Sequence, residues 1–253
     1  MELELWQFAV LFAAAFFGGF IDSIAGGGGL ISLPALLAVG VPPHVAIATN
    51  RFQGSFGSFT AALNFIRKGY VDAAEILRGV IFTFVGGLIG AYVLLLIDAK
   101  FLNYLIPILL LALLFYMIFS PNLGEAPAKP KMSKKSFYAI FGLVLGFYDG
   151  FFGPGTGSFW TFALVGILGL YMKKAVAHTK VLNFTSNIVS LGVFIIGGQI
   201  LWLVGAVMAV GQIAGSFAGS SLVMICDVKF VRKMLLLVVA VTILKLLYGL
   251  IAN

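Results

Sequence analysis

Polar positions are scarce along this chain, and they gather at a few helix ends and beside runs of glycine. Between them lie apolar runs at Leu5–Ile24, Gly79–Ile97, Phe101–Phe119 and Val231–Ile251. Each approaches the roughly 20 helical residues needed to cross a bilayer core of about 30 Å. Around these runs one pattern occurs twice: a spanning helix, a glycine run, a short apolar segment, then a polar-tipped helix. The first copy reads Leu5–Ile24, Gly26–Gly29, Leu30–Gly40 and Ala46–Ile66. The second reads Phe137–Phe152, "GPGTG" at 153–157, Ser158–Leu170 and Ala175–Gly197. The third segment of each copy is too short to span alone, which predicts re-entrant or broken helices.

The duplication extends beyond the pattern. Asp98, Lys100 and Phe101 match Asp227, Lys229 and Phe230 at a constant offset, which also pairs Gly86 with Gly215, Gly90 with Gly219 and Arg51 with Lys180. With a short gap, "GFID" (19–22) matches "GFYD" (146–149). The halves are 1–120 and 136–253, joined by the Pro- and Lys-rich stretch 121–135, whose lysines 129, 131, 134 and 135 predict a cytoplasmic location. Arg67 and Lys68 share that side, but their counterparts at that offset, Ile196 and Gly197, are uncharged, while Lys229, Arg232 and Lys233 have few basic counterparts near Asp98. Basic residues therefore swap loops between halves, as an inverted repeat predicts; parallel repeats of four spans each are the alternative.

Composition fixes the class. The chain has 253 residues, 61% hydrophobic and only 10% charged, against about a quarter charged in soluble domains. The expected fold is an all-α, polytopic transmembrane bundle of two repeats with 8–10 membrane segments. The first run follows Glu2 and Glu4 without a cleavage site, so it reads as a retained helix and not a signal peptide. The single Cys226 excludes an internal disulfide framework. The net charge of +7 follows from positive-inside bias and calls for no nucleic acid. No cofactor or metal is expected. The expected partners are a small anionic solute and the lipid bilayer, with homo-oligomerisation left open. The setting is the cell membrane.

Candidate chemistry sits at the breaks. Four successive glycines, Gly26, Gly27, Gly28 and Gly29, would each cost about 1 kcal/mol inside a helix. A break there, and another at Gly153, Gly155 and Gly157, would present free N–H groups at the next half-helix, which attract anions. Close helix packing explains Gly86, Gly87, Gly90, Gly215 and Gly219 instead. After the first break come Thr49, Asn50, Arg51 and Gln53; Thr156 lies within the second, and His178, Thr179, Lys180, Asn183 and Asn187 follow it. Lys180, Asn183 and Asn187 share one helical stripe. Arg51 and Lys180 either snorkel to headgroups or line an anion path, and their recurrence in both halves favours the path. Asp22 and Asp149, each just before its break, are candidate partners for the broken backbone, for Arg51 or Lys180, or for protons. His44, in a Pro-Pro-His turn, reads as a loop residue.

"GFIDSIAGGGGLISLPALLAVGVPPHVAIATNRFQ", "GFYDGFFGPGTGSFW" and "AVAHTKVLNFTSN" together resemble the TauE/SafE sulfite-exporter family, over nearly the whole chain. The resemblance implies a permease, not an enzyme, for small sulfur-containing anions such as sulfite, sulfoacetate or other organosulfonates. It also implies that Gly26–Gly29, Asn50, Arg51, Gly153–Gly157, Thr179 and Lys180 line the path. Each negative charge leaving a cell with a negative interior gains about 2.3 kcal/mol per 100 mV, so the expectation is export with neither acid carrying a proton. A proton-coupled importer is one alternative. An intramembrane aspartyl protease using Asp22 and Asp149 is another, disfavoured because Asp149 precedes its glycines instead of lying among them. A scaffold would have little use for interior cations. "GPGTGS" lacks the Gly-Lys-Ser/Thr ending of a phosphate-binding loop.

Overall fold

A computed structural model of the protein describes residues 3–98, 100–102, 104–106, 108 and 129–223, and every regular element among them is an α-helix. The expected run at Val231–Ile251, most of that at Phe101–Phe119, linker residues 121–128, Cys226 and the basic residues 229–233 lie outside the described residues.

Local chemistry sets the helix limits. Helix α1 (Leu5–Ala25) opens with the Glu4 N–H donating to Gln7 Oε1 at 2.8 Å. It ends at Gly26 and Gly27, whose φ angles of 78° and 108° suit glycine alone. Helix α2 (Gly29–Ala38) is short, and α3 (Pro43–Arg67) has Pro43 in its first turn, where the missing N–H has no intrahelical partner to lose. The carboxylate of Asp72 caps α4 (Ala73–Leu96) by accepting from the Ala74 N–H at 2.9 Å. Ser133 caps α5 (Lys134–Phe151) in the same way. Gly155, with φ 82°, then opens the short α6 (Thr156–Gly166), followed by α7 (Met172–Ile196) and α8 (Trp202–Leu222). Both segments expected to be too short to span are therefore helices that begin at a glycine break.

Four described helices, α1, α4, α7 and α8, are long and apolar enough to cross a membrane. The polarity is inside-out relative to a water-soluble domain. On α4, Leu77, Ile81, Phe84, Leu88, Tyr92 and Leu96 face outward, whereas Thr49, Arg51, Gln53, Asp149 and Lys180 are buried. An exterior of that kind is solvated by lipid.

Packing is reciprocal: α1 lies along α8, α4 along α5, and α3 packs against both α7 and α8. The paired glycines make the long seams possible. A Cβ on Gly215 or Gly219 would run into the carbonyls of Phe16 and Phe20, and one on Gly86 or Gly90 into those of Leu143 and Phe147. Gly87 lies against Ser186. These contacts are the close backbone approaches that small residues permit.

The helix ends sort into two groups. At one end, Glu75 near the start of α4 accepts from Lys134 of α5 and Lys174 of α7, both at 2.7 Å, and Lys131 N–H donates to Ile167 O, just after α6. At the other end, Leu3 and Phe8 of the α1 region border Ile200–Val204, Leu201 N–H donates to Thr49 Oγ1 on α3, and His44 meets Leu94 O at the end of α4. Thus α1–α2 and α5–α6 are hairpins, each turning back at a glycine break.

Candidate functional site

The two breaks meet. Ser158 Oγ, on α6, donates to Gly26 O at 3.4 Å, the Cβ site of Gly157 lies 2.7 Å from Gly26 Cα, and that of Gly29 lies 3.2 Å from Pro154 Cα. Side chains there would hold the hairpins apart, so the glycines at these positions serve approach as well as turning. Between them is a cavity of about 40 Å³. Gly27, Gly29, Gly153, Gly155 and Gly157 contribute backbone to its wall, and Asp22, Asn50, Arg51, Gln53, Asp149, Asn183 and Asn187 contribute side chains.

Four charges cross-link the halves. Arg51 Nη1 donates to Asp149 Oδ1 at 2.7 Å, with both side chains 4% exposed. Lys180 Nζ donates to Asp22 Oδ2 at 2.8 Å, with Lys180 wholly buried. Each acid therefore meets the cation of the other half, and the four charges sum to zero. Breaking one such buried pair typically costs about 3–5 kcal/mol. Asp149 also accepts from Ser186 Oγ, and Arg51 Nη1 also donates to Asn187 Oδ1 at 2.7 Å. Asp22 Oδ1 accepts from the N–H groups of Gly27 and Gly28 at 3.0 and 3.1 Å. The first break thus departs from the expected free N–H groups. An acid one turn upstream reaches forward and satisfies them.

Arg51 keeps unused capacity. Its Nε and Nη2 are buried without a hydrogen-bond partner, and the guanidinium fills the place that a Cβ of Gly153 would take. Leaving a buried donor unpaired costs about 1–3 kcal/mol, more when it is charged. The Nε–Nη2 edge is the planar fork that grips an oxyanion with two parallel hydrogen bonds.

The other predicted residues divide. Asn50 Oδ1 accepts from Ser32 Oγ and Gln53 Nε2, tying both amides to the cavity wall. Asn187 Nδ2 reaches Ser58 Oγ at 3.3 Å. Several polar residues instead lie outside the cavity lining and take structural partners. Thr49 holds Leu201, Thr156 donates to Gly153 O at 2.6 Å, and Thr179 meets Thr161 at 3.2 Å. His178 Nδ1 pairs with Tyr138 OH at 2.8 Å. Gly26, Gly28 and Lys180 belong to the breaks and their ion pair without forming the cavity wall. Sequence reasoning missed Gly54, Ser186 and Gln212. Gln212 is a cavity residue on α8, wedged against Gly19 and Gly57 with its Oε1 unpaired. Its signal was a lone amide in the apolar stretch "VGQIAG" (210–215), the kind of intramembrane polar residue that marks function.

The chain is similar over nearly its whole length to known membrane proteins. Residues 11–246 match the family model described as "Sulfite exporter TauE/SafE". A "Probable membrane transporter protein" of Haemophilus influenzae is 42% identical over 252 residues, covering 98% of this chain and 97% of that protein. "Probable membrane transporter protein YfcA" of Escherichia coli is 45% identical over 239 residues, covering 94% and 89% respectively. "Probable membrane transporter protein ORF9" of Sinorhizobium sp is 40% identical, covering 94% and 91%. No solved structure matches the chain significantly.

Proposed function

The chain belongs to the sulfite exporter TauE/SafE family, and we propose that it exports a small sulfur-containing anion, such as sulfite, sulfoacetate or another organosulfonate, through the cavity between its glycine breaks. As a member of that family it is a multi-pass transporter of the cell membrane. The observation carrying the substrate reading is the unpaired edge of Arg51: two buried charged donors with no partner, on a cavity residue packed against the second break. An anionic oxygen pair is the ligand chemistry that satisfies such an edge. Two hairpins turning back at a shared centre support an inverted repeat and a site near mid-membrane, as in other transporters with broken helices.

Direction follows from charge. An uncoupled anion leaves down the membrane potential, while uptake would need a coupling ion. Each acid is already engaged by a cation of the opposite half, which favours export without a proton over proton-coupled import. The same pairing removes the basis for a protease, whose two carboxylates must share a proton.

The test is flux from proteoliposomes loaded with labelled sulfite, sulfoacetate or sulfate, with the potential set by an ionophore. The expected result is sulfite or sulfonate efflux accelerated by an inside-negative potential and lost in Arg51→Gln. Equal leakage from protein-free vesicles would remove the reading.

A further inference from the structure

Helix α3 presents one face to the cavity, through Asn50, Arg51, Gln53 and Gly54. At about 100° per residue, Asn50 and Gly54 occupy the middle of that face, while Arg51 and Gln53 stand on its opposite flanks. The packing around them agrees. On the Arg51 flank, Asn187 of α7 lies 3.8 Å from the Cβ site of Gly54 and reaches Ser58. On the Gln53 flank, Gln212 of α8 lies against Gly57, one turn further along α3.

The two flanks differ in hydrogen-bonding character. Arg51 offers Nε and Nη2, two buried donors without a partner. Gln53 and Gln212, 1% and 3% exposed, each keep a carboxamide oxygen without a donor, and Asn183 Oδ1 on α7 is a third. All four residues belong to the cavity wall. The spare oxygen on α3 persists whichever way its amides are turned. Asn50 Oδ1 accepts from both Ser32 Oγ and Gln53 Nε2; with both amides reversed, Asn50 Oδ1 is freed in place of Gln53 Oε1. An oxyanion on the Arg51 edge leaves these oxygens unserved, because a solute that only accepts brings them no hydrogen. Buried acceptors are satisfied by donors.

Resting on the anion-permease reading above, we propose that the solute is a compact oxyanion carrying its own hydrogen-bond donor. Its oxyanion end takes the Nε–Nη2 edge of Arg51, and an O–H or N–H at its other end meets the carboxamide oxygens of Gln53 and Gln212. Hydrogen sulfite and small hydroxy- or aminosulfonates belong to that class, whereas sulfate and plain alkanesulfonates do not.

The test rests on two near-isosteres. Sulfamate and methanesulfonate carry the same charge on nearly the same shape, and differ by an amino group in place of a methyl. Each is co-loaded, unlabelled, into proteoliposomes with labelled sulfite, at zero potential. The half-inhibiting concentration of sulfamate is expected to lie about tenfold or more below that of methanesulfonate. Parity would overturn the donor assignment: the carboxamides then meet water, or a cation where inhibition by both anions depends on sodium. Sulfamate that fails to compete at all would overturn it too. In each of these cases the labelled sulfite efflux still stands as evidence for the permease. Efflux no faster than from protein-free vesicles would sink the permease reading and this inference with it.

Variants locate the donor's partner. Gln212→Met replaces the carboxamide with an apolar chain of similar length, and is expected to shrink the sulfamate preference about tenfold, toward parity. Arg51→Gln should weaken both anions and keep their ratio. The readout compares two anions on one preparation, so a smaller folded fraction does not move it. If Gln212→Met does not elute as a monodisperse species, Gln53→Met gives the same readout. A preference unchanged in the glutamine variants would refute the placement of the donor.

Discussion

Gly153→Ala isolates the seat of Arg51. Gly153 has φ 92° and lies against the guanidinium: its Cβ site is 2.5 Å from Arg51 Cζ and 2.6 Å from Nη1, with Nη2 closer still. An alanine there carries two penalties. The left-handed backbone costs about 1–2 kcal/mol for a residue with a Cβ. The methyl must also displace the guanidinium by about 1 Å to reach ordinary contact, which breaks the pair with Asp149 and adds about 3–5 kcal/mol. Gly40→Ala supplies the control, because Gly40 has φ 86° and nothing within 4 Å of its Cβ site. Gly40→Ala should therefore lose only the strain, with flux near that of the parent protein. Gly153→Ala should lose the strain plus the ion pair, with flux reduced about 100-fold, as misplacing a binding group by about 1 Å commonly does. The measurements are thermal melting of detergent-purified protein, followed by loss of the monodisperse peak, and sulfite efflux per folded molecule. Equal behaviour of the two variants would show that Arg51 is not held against the second break.

Other changes probe separate parts of the fold. Asp149→Asn leaves Arg51 and Ser186 facing a neutral amide, so melting should fall by the equivalent of about 3 kcal/mol; unchanged melting would contradict the buried pair. Gly215→Leu drives a side chain into the Phe16 carbonyl on α1 and should destabilise by about 3 kcal/mol or more, while folded molecules keep their anion preference in the same flux assay. Tyr138→Phe removes the partner of His178 and should cost about 1–3 kcal/mol in stability with flux retained; a selective loss of flux would move His178 into the transport path. Glu75→Gln frees the partly exposed Lys134 and Lys174 and should shift melting by no more than about 1 kcal/mol each.

Much of the architecture was legible because adjacent glycines weaken an oily helix and are tolerated where the backbone must turn. Four glycines after Leu5–Ile24, and Gly-Pro-Gly after Phe137–Phe152, predicted short second segments, and α2 and α6 are those segments. Their backbone needs made the signal strong, since positive φ at Gly26, Gly27, Gly153 and Gly155 excludes most other residues. The seams were legible for the same reason: small residues one turn apart at Gly86/Gly90 and Gly215/Gly219 leave room for a backbone. Partner choice was not legible. In sequence, Asp22 and Asp149 suit backbone, cation and proton roles alike, and only three-dimensional crossing sends Asp22 to Lys180 and Asp149 to Arg51. The polar tips of α3 and α7 look uniform in sequence. Thr49 and His178 turn to Leu201, just before α8, and to Tyr138 on α5, while Arg51 and Asn187 turn to the cavity. Gln212 was hidden because a single amide among alanine, glycine and valine forms no pattern.

Crossed pairing also bears on how a bilayer protein tolerates four buried charges. An unpaired charge in hydrocarbon costs several kcal/mol and must find a partner or a proton. Were Asp22 paired within its own half, to Arg51, the halves would still meet through Leu201–Thr49, Asn187–Ser58 and the Glu75 ion pairs, but no buried charge would bind one break to the other. With Lys180 on Asp22 and Arg51 on Asp149, neither half is electrically complete alone. Separating the halves would strand two charges in each, so the pairs hold the breaks together at a stage when no solute is present. On the proposed reading, an anion at the unpaired edge of Arg51 would leave both pairs intact, because Nη1 carries the contact to Asp149 while Nε and Nη2 have no partner.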